Sequence, residues 1–458
     1  MAMIKVRSSD IAARIVWLSV PRLRSPGLRF LLAGLVAAIT LAGCTGSGAS
    51  PNTQFASVPS VQGTLTGSLT PSPTQTLAST PNPTPQPTLT FVATGSMHAA
   101  THVYATATLL KNGKVLIAGG TDGPWGISES IYASAEIYDP ATSTFSKTGS
   151  MKMARAEQTA TLLDDGRVLM TGGYGCLLPR ACVKQSSFDI LASAELYDPT
   201  TGKFTLTGSM AAPRTHASAT LLVDGRVLVT SGDTTNRMGE LYDPSSGRFT
   251  ETGKDAIDYS ISPAVLLPNG KVLEAAGGAG DPLVGSLYDP ATGKFTKISL
   301  EPAPNSTPSA QVSGGQVVER YWPSSGTVLK DGRVLLFEGG YLETYDPSTG
   351  ACADIGFMMP TGLQAPTATS SMAIWLSPTV TLLPNGWVLF IGGQFGPFTA
   401  TATSAVLYDP ASGSEILGPL KTARSDQTAT LLANGSVLVA GGDDTNKKAL
   451  ASAELFQP

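Results

Sequence analysis

The sequence predicts an all-β fold, a ring of repeated four-stranded units, and three observations carry that expectation. Glycine (49) and proline (33) are abundant while charged residues make up only 14% of the 458 residues, the profile of short strands punctuated by turns. One apolar strand–turn–strand phrase recurs seven times: TLLKNGKVLIAGG (108–120), TLLDDGRVLMTGG (161–173), TLLVDGRVLVTSG (220–232), VLLPNGKVLEAAGG (265–278), TVLKDGRVLLFEGG (327–340), TLLPNGWVLFIGG (381–393) and TLLANGSVLVAGG (430–442). A second phrase follows each copy, a strand ending in Tyr-Asp-Pro at Tyr138, Tyr197, Tyr242, Tyr288, Tyr345 and Tyr408, with Phe456-Gln457-Pro458 as a degenerate seventh.

Each element has a local cause. Asn-Gly and Asp-Gly between apolar runs are strong hairpin signals, and they predict two-residue type I′ turns with both central residues at positive φ. The small polar segments after Tyr-Asp-Pro (ATST, TTGK, SSGR, ATGK, STGA, ASGS) predict the turn from a third to a fourth strand. The glycine pairs recur about every 54 residues, a period expected of β-propeller blades. The last copy stops after its third strand, and Phe91-Val92-Ala93-Thr94-Gly95-Ser96-Met97 matches fourth strands such as Phe204–Met210. The N-terminal strand is therefore expected to complete the C-terminal blade, giving a seven-bladed β-propeller without free strand edges.

The repeat resembles the kelch repeat: a diglycine after the second strand and an aromatic at a fixed place before the third-to-fourth turn. The resemblance covers residues 91–458. The diglycine is broken at Ser231-Gly232, and the tryptophan often found in a kelch fourth strand is replaced by Phe145, Phe204, Phe249 and Phe295.

Residues 1–29 are basic and Phe30–Ala42 form an apolar run, too short to span a bilayer comfortably and typical of a signal-peptide core. It ends in Leu41-Ala42-Gly43-Cys44, which resembles the lipobox of bacterial lipoproteins; the resemblance implies cleavage before Cys44, lipid on its sulfur and anchoring in an extracytoplasmic bacterial envelope. Residues 44–90, rich in Pro, Thr and Ser, read as a tether that cannot bury enough surface to order itself. The expected organisation is a signal peptide at 1–43, the tether at 44–90 and the propeller at 91–458. The formal charge of −4 becomes −9 once residues 1–43, with six cations and one carboxylate, are removed. An acidic domain has no electrostatic footprint for nucleic acid or anionic membrane. Neither partner is expected beyond the lipid anchor itself, and the chain is expected to be a monomer.

In such a blade the first-to-second and third-to-fourth turns share one face, and here they are uniformly short. The irregular lengths (121–132, 174–191, 297–323, 353–377, 394–404) all fall on the other face, where a rigid scaffold displays function. Six residues before the recurrent threonine, or its equivalent, stand His102, Arg155, Arg214, Tyr259, Tyr321, Trp375 and Arg424. Three guanidiniums and four rings at one mouth suit an anionic or carbohydrate ligand through bidentate hydrogen bonds and stacking. The competing expectation is structural. Arginine recurs in RxxQTATLL, and it could pair between blades with the recurrent glutamates Glu136, Glu195, Glu240, Glu343 and Glu454. Trp125, Trp322, Phe395 and Phe398 lie in the same irregular loops.

Kelch propellers resemble the central domain of galactose oxidase, whose copper site uses two histidines and two tyrosines, one cross-linked to a cysteine. This chain has only His98, His102 and His216, with no Tyr-His pair in its late repeats, and the family's flanking domains are missing. A sialidase-like enzyme would use three arginines, but its SxDxGxTW box is absent. No metal-binding or nucleophile motif is present, and no catalytic residue, metal or cofactor is assigned. Cys176 and Cys182, with five residues between them, are expected to form a local disulfide in an oxidising envelope, and Cys352 to be a small buried apolar residue. The expectation is a non-enzymatic binding scaffold for a glycan or a protein. Its rivals are a carbohydrate-active enzyme or a purely architectural envelope protein.

Overall fold

The computed structural model describes residues 89–458, except residue 101 and segments 125–129, 177–181, 184–187, 233–236, 258–262, 279–280, 302–323, 359–374 and 396–399. The leader, Cys44 and the tether therefore lie outside the described residues, which all belong to the unit Asn82–Pro458. Within them there is no α-helix, and no helix long and apolar enough to cross a membrane.

The fold is all-β and of β-propeller type. Among the described residues it contains seven four-stranded sheets, each in the order first–second–third–fourth strand. Sheet 1 comprises Thr106–Leu109, Val115–Ala118, Ala135–Asp139 and Thr144–Lys147; sheet 2 comprises Thr159–Leu162, Val168–Thr171, Ala194–Asp198 and Lys203–Leu206. Sheets 3 to 6 begin at Ser218–Leu221, Ala264–Leu266, Ser325–Val328 and Thr379–Leu382. Sheet 7 holds Thr428–Leu431, Val437–Ala440 and Ala453–Gln457, and its fourth member is Thr90–Ala93, paired antiparallel with Phe91 opposite Phe456. The first strands of successive sheets lie side by side, and that of sheet 7 lies beside that of sheet 1. They are thus the inner edges.

The second strands, such as Val115–Ala118, Val227–Thr230 and Val437–Ala440, are buried at every position. Each is covered on both faces by neighbouring sheets, so an unbroken apolar run replaces the alternation of a half-exposed strand. Sheet-to-sheet packing makes the core: Leu116 and Met170 share one cluster with Tyr197 and Phe204. The tyrosine of the third strand packs on the phenylalanine of the fourth, with ring centroids 4.9 Å apart for Tyr138–Phe145 and 4.8 Å for Tyr197–Phe204. The phenylalanines thus fill the aromatic position by a cross-strand pair.

The first-to-second turns differ from expectation. Gly113 has φ +80° and donates its N–H to the Leu110 carbonyl at 2.9 Å, while Leu110 N–H reaches Lys114 O at 2.8 Å; Asn112 is not among the positive-φ residues. This is a three-residue loop, with glycine alone in the left-handed region, not a type I′ turn. The asparagine serves instead through its side chain, its Oδ1 accepting from Lys114 N–H at 3.1 Å. The third-to-fourth turns use the aspartate of Tyr-Asp-Pro in the same way, Asp139 Oδ1 accepting from Ala141 N–H at 3.0 Å and Asp198 Oδ1 from Thr200 N–H at 2.8 Å.

Adjacent sheets are latched at their outer parts. The threonine leaving one fourth strand meets the next sheet's tyrosine hydroxyl: Thr94–Tyr138 at 2.8 Å, Thr148–Tyr197 and Thr207–Tyr242 at 2.9 Å, Thr252–Tyr288 at 3.0 Å. Thr94 follows the N-terminal strand, so the same latch joins sheet 7 to sheet 1. Two residues further in, Glu136 of sheet 1 gathers the His98 backbone N–H (2.9 and 3.0 Å), the His98 ring (2.7 Å) and His102 Nε2 (3.7 Å).

Burial of the Glu136 carboxyl opposes its charge, but the His102 imidazole nearby and the His98 hydrogen bonds outweigh that and hold it at about 2, from an ordinary 4.5. A lowered folded-state value means stability that is present above the ordinary carboxylate range and is lost as pH falls through about 2. The shift corresponds to about 3 kcal/mol. Thermal unfolding against pH should show wild type losing its advantage over Glu136→Gln between the two values, with the curves converging at the acid end.

Candidate functional site

Of the seven expected ligand-ring residues, Tyr259 and Tyr321 lie outside the described residues. The other five are buried, none more than 1% exposed. Each makes the same contact, a side-chain nitrogen hydrogen-bonded to the carbonyl 17 residues further on. The pairs are His102 Nδ1–Gly119 O (2.9 Å), Arg155–Gly172 O (3.0 Å), Arg214–Ser231 O (3.0 Å), Trp375 Nε1–Gly392 O (2.7 Å) and Arg424–Gly441 O (2.9 Å). Their own carbonyls accept from the second glycine of the preceding sheet: Gly120 to Arg155 (2.8 Å), Gly173 to Arg214 (2.7 Å), Gly393 to Arg424 (3.2 Å) and Gly442 to His102 (3.4 Å).

The expected ligand ring is therefore corrected for these five: they are ties between the glycine turns of adjacent sheets. The three arginines also meet the glutamates of the structural expectation, Arg155–Glu195 at 3.2 Å, Arg214–Glu240 at 3.2 Å and Arg424–Glu454 at 2.9 Å. Those carboxylates in turn accept backbone N–H groups, Lys152 and Met153 for Glu195 and Lys421 and Thr422 for Glu454. All three guanidiniums are hidden, and every nitrogen of Arg155 is already hydrogen-bonded. Burial lowers the Arg155 and Arg424 values, and the partner glutamates oppose the shift. The glutamine of RxxQ is structural as well, Gln158 donating to Ala118 O (2.9 Å) and Gln427 to Ile391 O (2.8 Å).

Two residues past each tie the chain does something else. Tyr104 (φ +56°), Glu157 (+55°), His216 (+52°), Ser377 (+50°) and Asp426 (+54°) all adopt left-handed backbone immediately before a first strand. Side chains rarely adopt this conformation, and it persists where surrounding contacts over-determine it, often at ligand sites. Here the buried ties supply the constraint. The turn lifts these side chains to the inner edges of sheets 7, 1, 2, 3 and 6, on the face of the irregular connections.

Four of them stand on consecutive sheets and interact. Glu157 N–H donates to Tyr104 O at 3.1 Å and His216 N–H to Glu157 O at 3.4 Å. His216 Nε2 lies 2.9 Å from the Glu157 carboxylate, with the imidazole side chain 39% exposed and the glutamate only 5%. Thr215 Oγ1 also donates to Glu157 (3.1 Å), and Tyr174 sets its ring edge-on to His216 at 6.3 Å. Burial pushes the Asp426 carboxyl up to about 7, assisted by the charges of Asp443 and Glu157 and opposed by Lys447; Gln394 donates to it at 3.3 Å. Burial, with the Glu157 charge, also raises Tyr174. The set offers two carboxyl groups, an imidazole and two phenol rings, a mixture that can accept hydroxyl hydrogen bonds and stack on an apolar ring face.

Short extra strands frame this face. Ala154–Ala156 and Asp189–Ile190 both pair with Tyr174–Cys176, and Ser130–Ile131 pairs with Cys182–Val183, joining the irregular inserts of sheets 1 and 2. Cys176 is disulfide-bonded; the side chain of Cys182, its expected partner, is outside what the structure describes. Cys352 is a free thiol, half-buried, and burial pushes it up to about 12. The side chains of Trp125, Trp322, Phe395 and Phe398 are not described.

The sequence singled out the ties and missed the residues beside them. The available signal was that HVY, RAE, RTH and RSD precede the repeated strand: the first position repeats, whereas the third varies in chemistry from copy to copy.

A family model for the kelch motif matches residues 104–152, which run from Tyr104 through the whole of sheet 1. No curated protein matches the chain. Among solved structures, a fungal alcohol oxidase of the AA5 family, described as catalytically diverse and in complex with copper, is similar with a TM-score of 0.55 and 17% identity. The match covers 81% of this chain and 76% of that one. At that identity the likeness concerns the fold, and together with the motif it bears out the kelch resemblance at the level of repeat and architecture. The copper belongs to that protein. Among the described residues here, no group of three or more His, Cys, Asp or Glu is placed to hold a metal ion, so the donors do not fit such a centre and no chemistry is routed through one.

Proposed function

We propose that this kelch-like chain is a seven-bladed propeller, closed by its N-terminal strand, that serves as an extracytoplasmic, lipid-anchored binding scaffold for a glycan. The ligand sits at the mouth of the ring on the irregular face. Cys44 carries the lipid, residues 44–90 form the spacer, and residues 91–458 are the display module. The lipobox-like Leu41–Cys44 run supports the anchor. A Cys176–Cys182 disulfide would stiffen the insert beside the mouth.

The observation that carries the binding reading is the row Asp426–Tyr104–Glu157–His216, held in left-handed backbone on four consecutive sheets by ties that are themselves hidden. Rings stack on sugar faces, and carboxylates accept sugar hydroxyls. Asp426, near half-protonation at neutral pH, both donates and accepts.

The test is a glycan array and titration of the purified chain beside His216→Ala and Glu157→Gln. A glycan should bind the wild type, and each variant should weaken it at least about tenfold, the loss of one charge-assisted contact, with unfolding temperature little changed. Binding that survives in both variants would move the site elsewhere on the irregular face. No binding to any glycan would turn the search to a protein partner.

A further inference from the structure

Sheet 4 breaks the charge pattern of its neighbours. In sheets 1, 2, 3 and 7 the third strand carries a glutamate (Glu136, Glu195, Glu240, Glu454) facing a histidine or an arginine. In sheet 4 the third-strand position is Ser286, and the carboxylate stands opposite it on the second strand, as Glu274. The residue aligned with the arginines there is Tyr259, so the sequence supplies no cation at that point.

Glu274 is 0% exposed, and neither of its carboxyl oxygens has a hydrogen-bond partner. A second carboxylate, Asp255, 7% exposed, lies within electrostatic and hydrogen-bonding reach of it, as does the buried Thr230 hydroxyl, itself without a partner. The nearby N–H groups are committed: Ile257 donates to Asp255 Oδ1 at 3.2 Å and Ala256 to Ser286 Oγ at 3.3 Å. The cation that acts on Glu274 is Arg214 of the preceding tie. Its charge is met by Glu240, and its remaining donors go to the carbonyls of Ser231 and Met238.

A cluster of oxygens with two carboxylates, served only by the Ile257 N–H and neutral hydroxyls, cannot stay doubly ionised in a dry interior without a counter-charge. Carboxylate and hydroxyl oxygens are the ligands of hard cations, and two carboxylates balance one divalent ion. We infer that Asp255 and Glu274, with the Thr230 and Ser286 hydroxyls beside them, form a buried site for a divalent cation of calcium type at the seam of sheets 3 and 4. The site is separate from the mouth described above and does not depend on a ligand binding there. Occupied, it would supply in sheet 4 the positive charge that Arg155, Arg214 and Arg424 supply in theirs. It would join two sheets by coordination where the others are joined by guanidinium ties.

The experiment is thermal unfolding of the whole chain, stripped with a chelator and held at about pH 8, where ordinary carboxylates are ionised. Calcium chloride, magnesium chloride and sodium chloride are titrated separately. Calcium should raise the unfolding temperature saturably, as expected when an ion binds only the folded state. Elemental analysis of unstripped protein should find calcium in equimolar amount, and Glu274→Gln should abolish the calcium-dependent rise. An undiminished rise in that variant would overturn the assignment. So would a wild type that ignores all three salts but gains stability as pH is lowered, because the carboxyl pair then holds a proton instead. Should Glu274→Gln fail to fold, Asp255→Asn takes its place and equilibrium dialysis of calcium against the stripped wild type decides. Failure to bind at millimolar calcium would sink the site.

Discussion

Arg155→Ala should destabilise the protein by about 4 kcal/mol, because it leaves a buried carboxylate without its cation. The guanidinium is 0% exposed and donates to Glu195 (3.3 and 3.2 Å), Gly172 O (3.0 Å), Ser193 O (2.9 Å) and Ser193 Oγ (2.9 Å). Removing it takes the side-chain donor from Gly172 O, leaves Ser193 O with only the Gly172 N–H at 3.2 Å, and leaves Glu195 with only the Lys152 and Met153 N–H groups. The measurement is urea unfolding of wild type, Arg155→Ala and the double variant Arg155→Ala/Glu195→Gln. The double variant should recover about 1–2 kcal/mol, since the uncompensated charge is gone while the backbone donors keep an acceptor. A ligand-binding arginine would behave in the opposite way, its loss costing affinity and leaving stability intact. An Arg155→Ala protein as stable as the wild type would refute its role as a tie.

Gly173→Ala carries the second large effect, also about 4 kcal/mol, from two causes acting together. Gly173 has φ +91°, which strains any residue bearing a Cβ, and that Cβ would stand 2.5 Å from Ala156 O and 3.0 Å from Gln158 N. Both neighbours are backbone held by the tie, Gly173 N–H itself donating to Arg214 O at 2.7 Å, so neither can give way. Left-handed strain costs about 1–2 kcal/mol and overpacking against fixed atoms about 1–3 more. Gly350 is the control. Its φ is +74°, but a Cβ there would meet nothing within 4 Å. Gly350→Ala should therefore show the backbone cost alone, about 1 kcal/mol. Comparable losses at both positions in the same urea experiment would mean that close approach contributes nothing to the diglycine.

Much of the fold was legible in the repeat because its causes are local. The seven glycines of the first-to-second turns, Gly113 to Gly435, all stand at positive φ, as the hairpin expectation required. The turn type around them was misread, because Asn-Gly also suits a three-residue loop in which asparagine caps through its side chain. The pairing of Phe91 with Phe456 matched the complementary ends of the chain. The ties were harder to read. Their constant spacing to the glycine turn was visible in His102, Arg155, Arg214, Trp375 and Arg424. The copies with Tyr259 and Tyr321 differ, having one more residue between the hairpin turn and the glycines, VLEAAGG and VLLFEGG against VLIAGG.

The sequence by itself determined strand, turn and repeat, because short apolar runs, turn chemistry and copy number are properties of neighbours along the chain. It also narrowed the inner rim to a handful of positions. Only the tertiary structure decided which of those positions work inward and which outward. The arginines and the residues two steps beyond them are equally polar in sequence. A left-handed turn between them sends the guanidinium of Arg155 back onto a carbonyl and a glutamate 17 and 40 residues away, and sends the Glu157–His216 pair to the rim. That choice depends on carbonyls supplied by other sheets, so no local pattern records it.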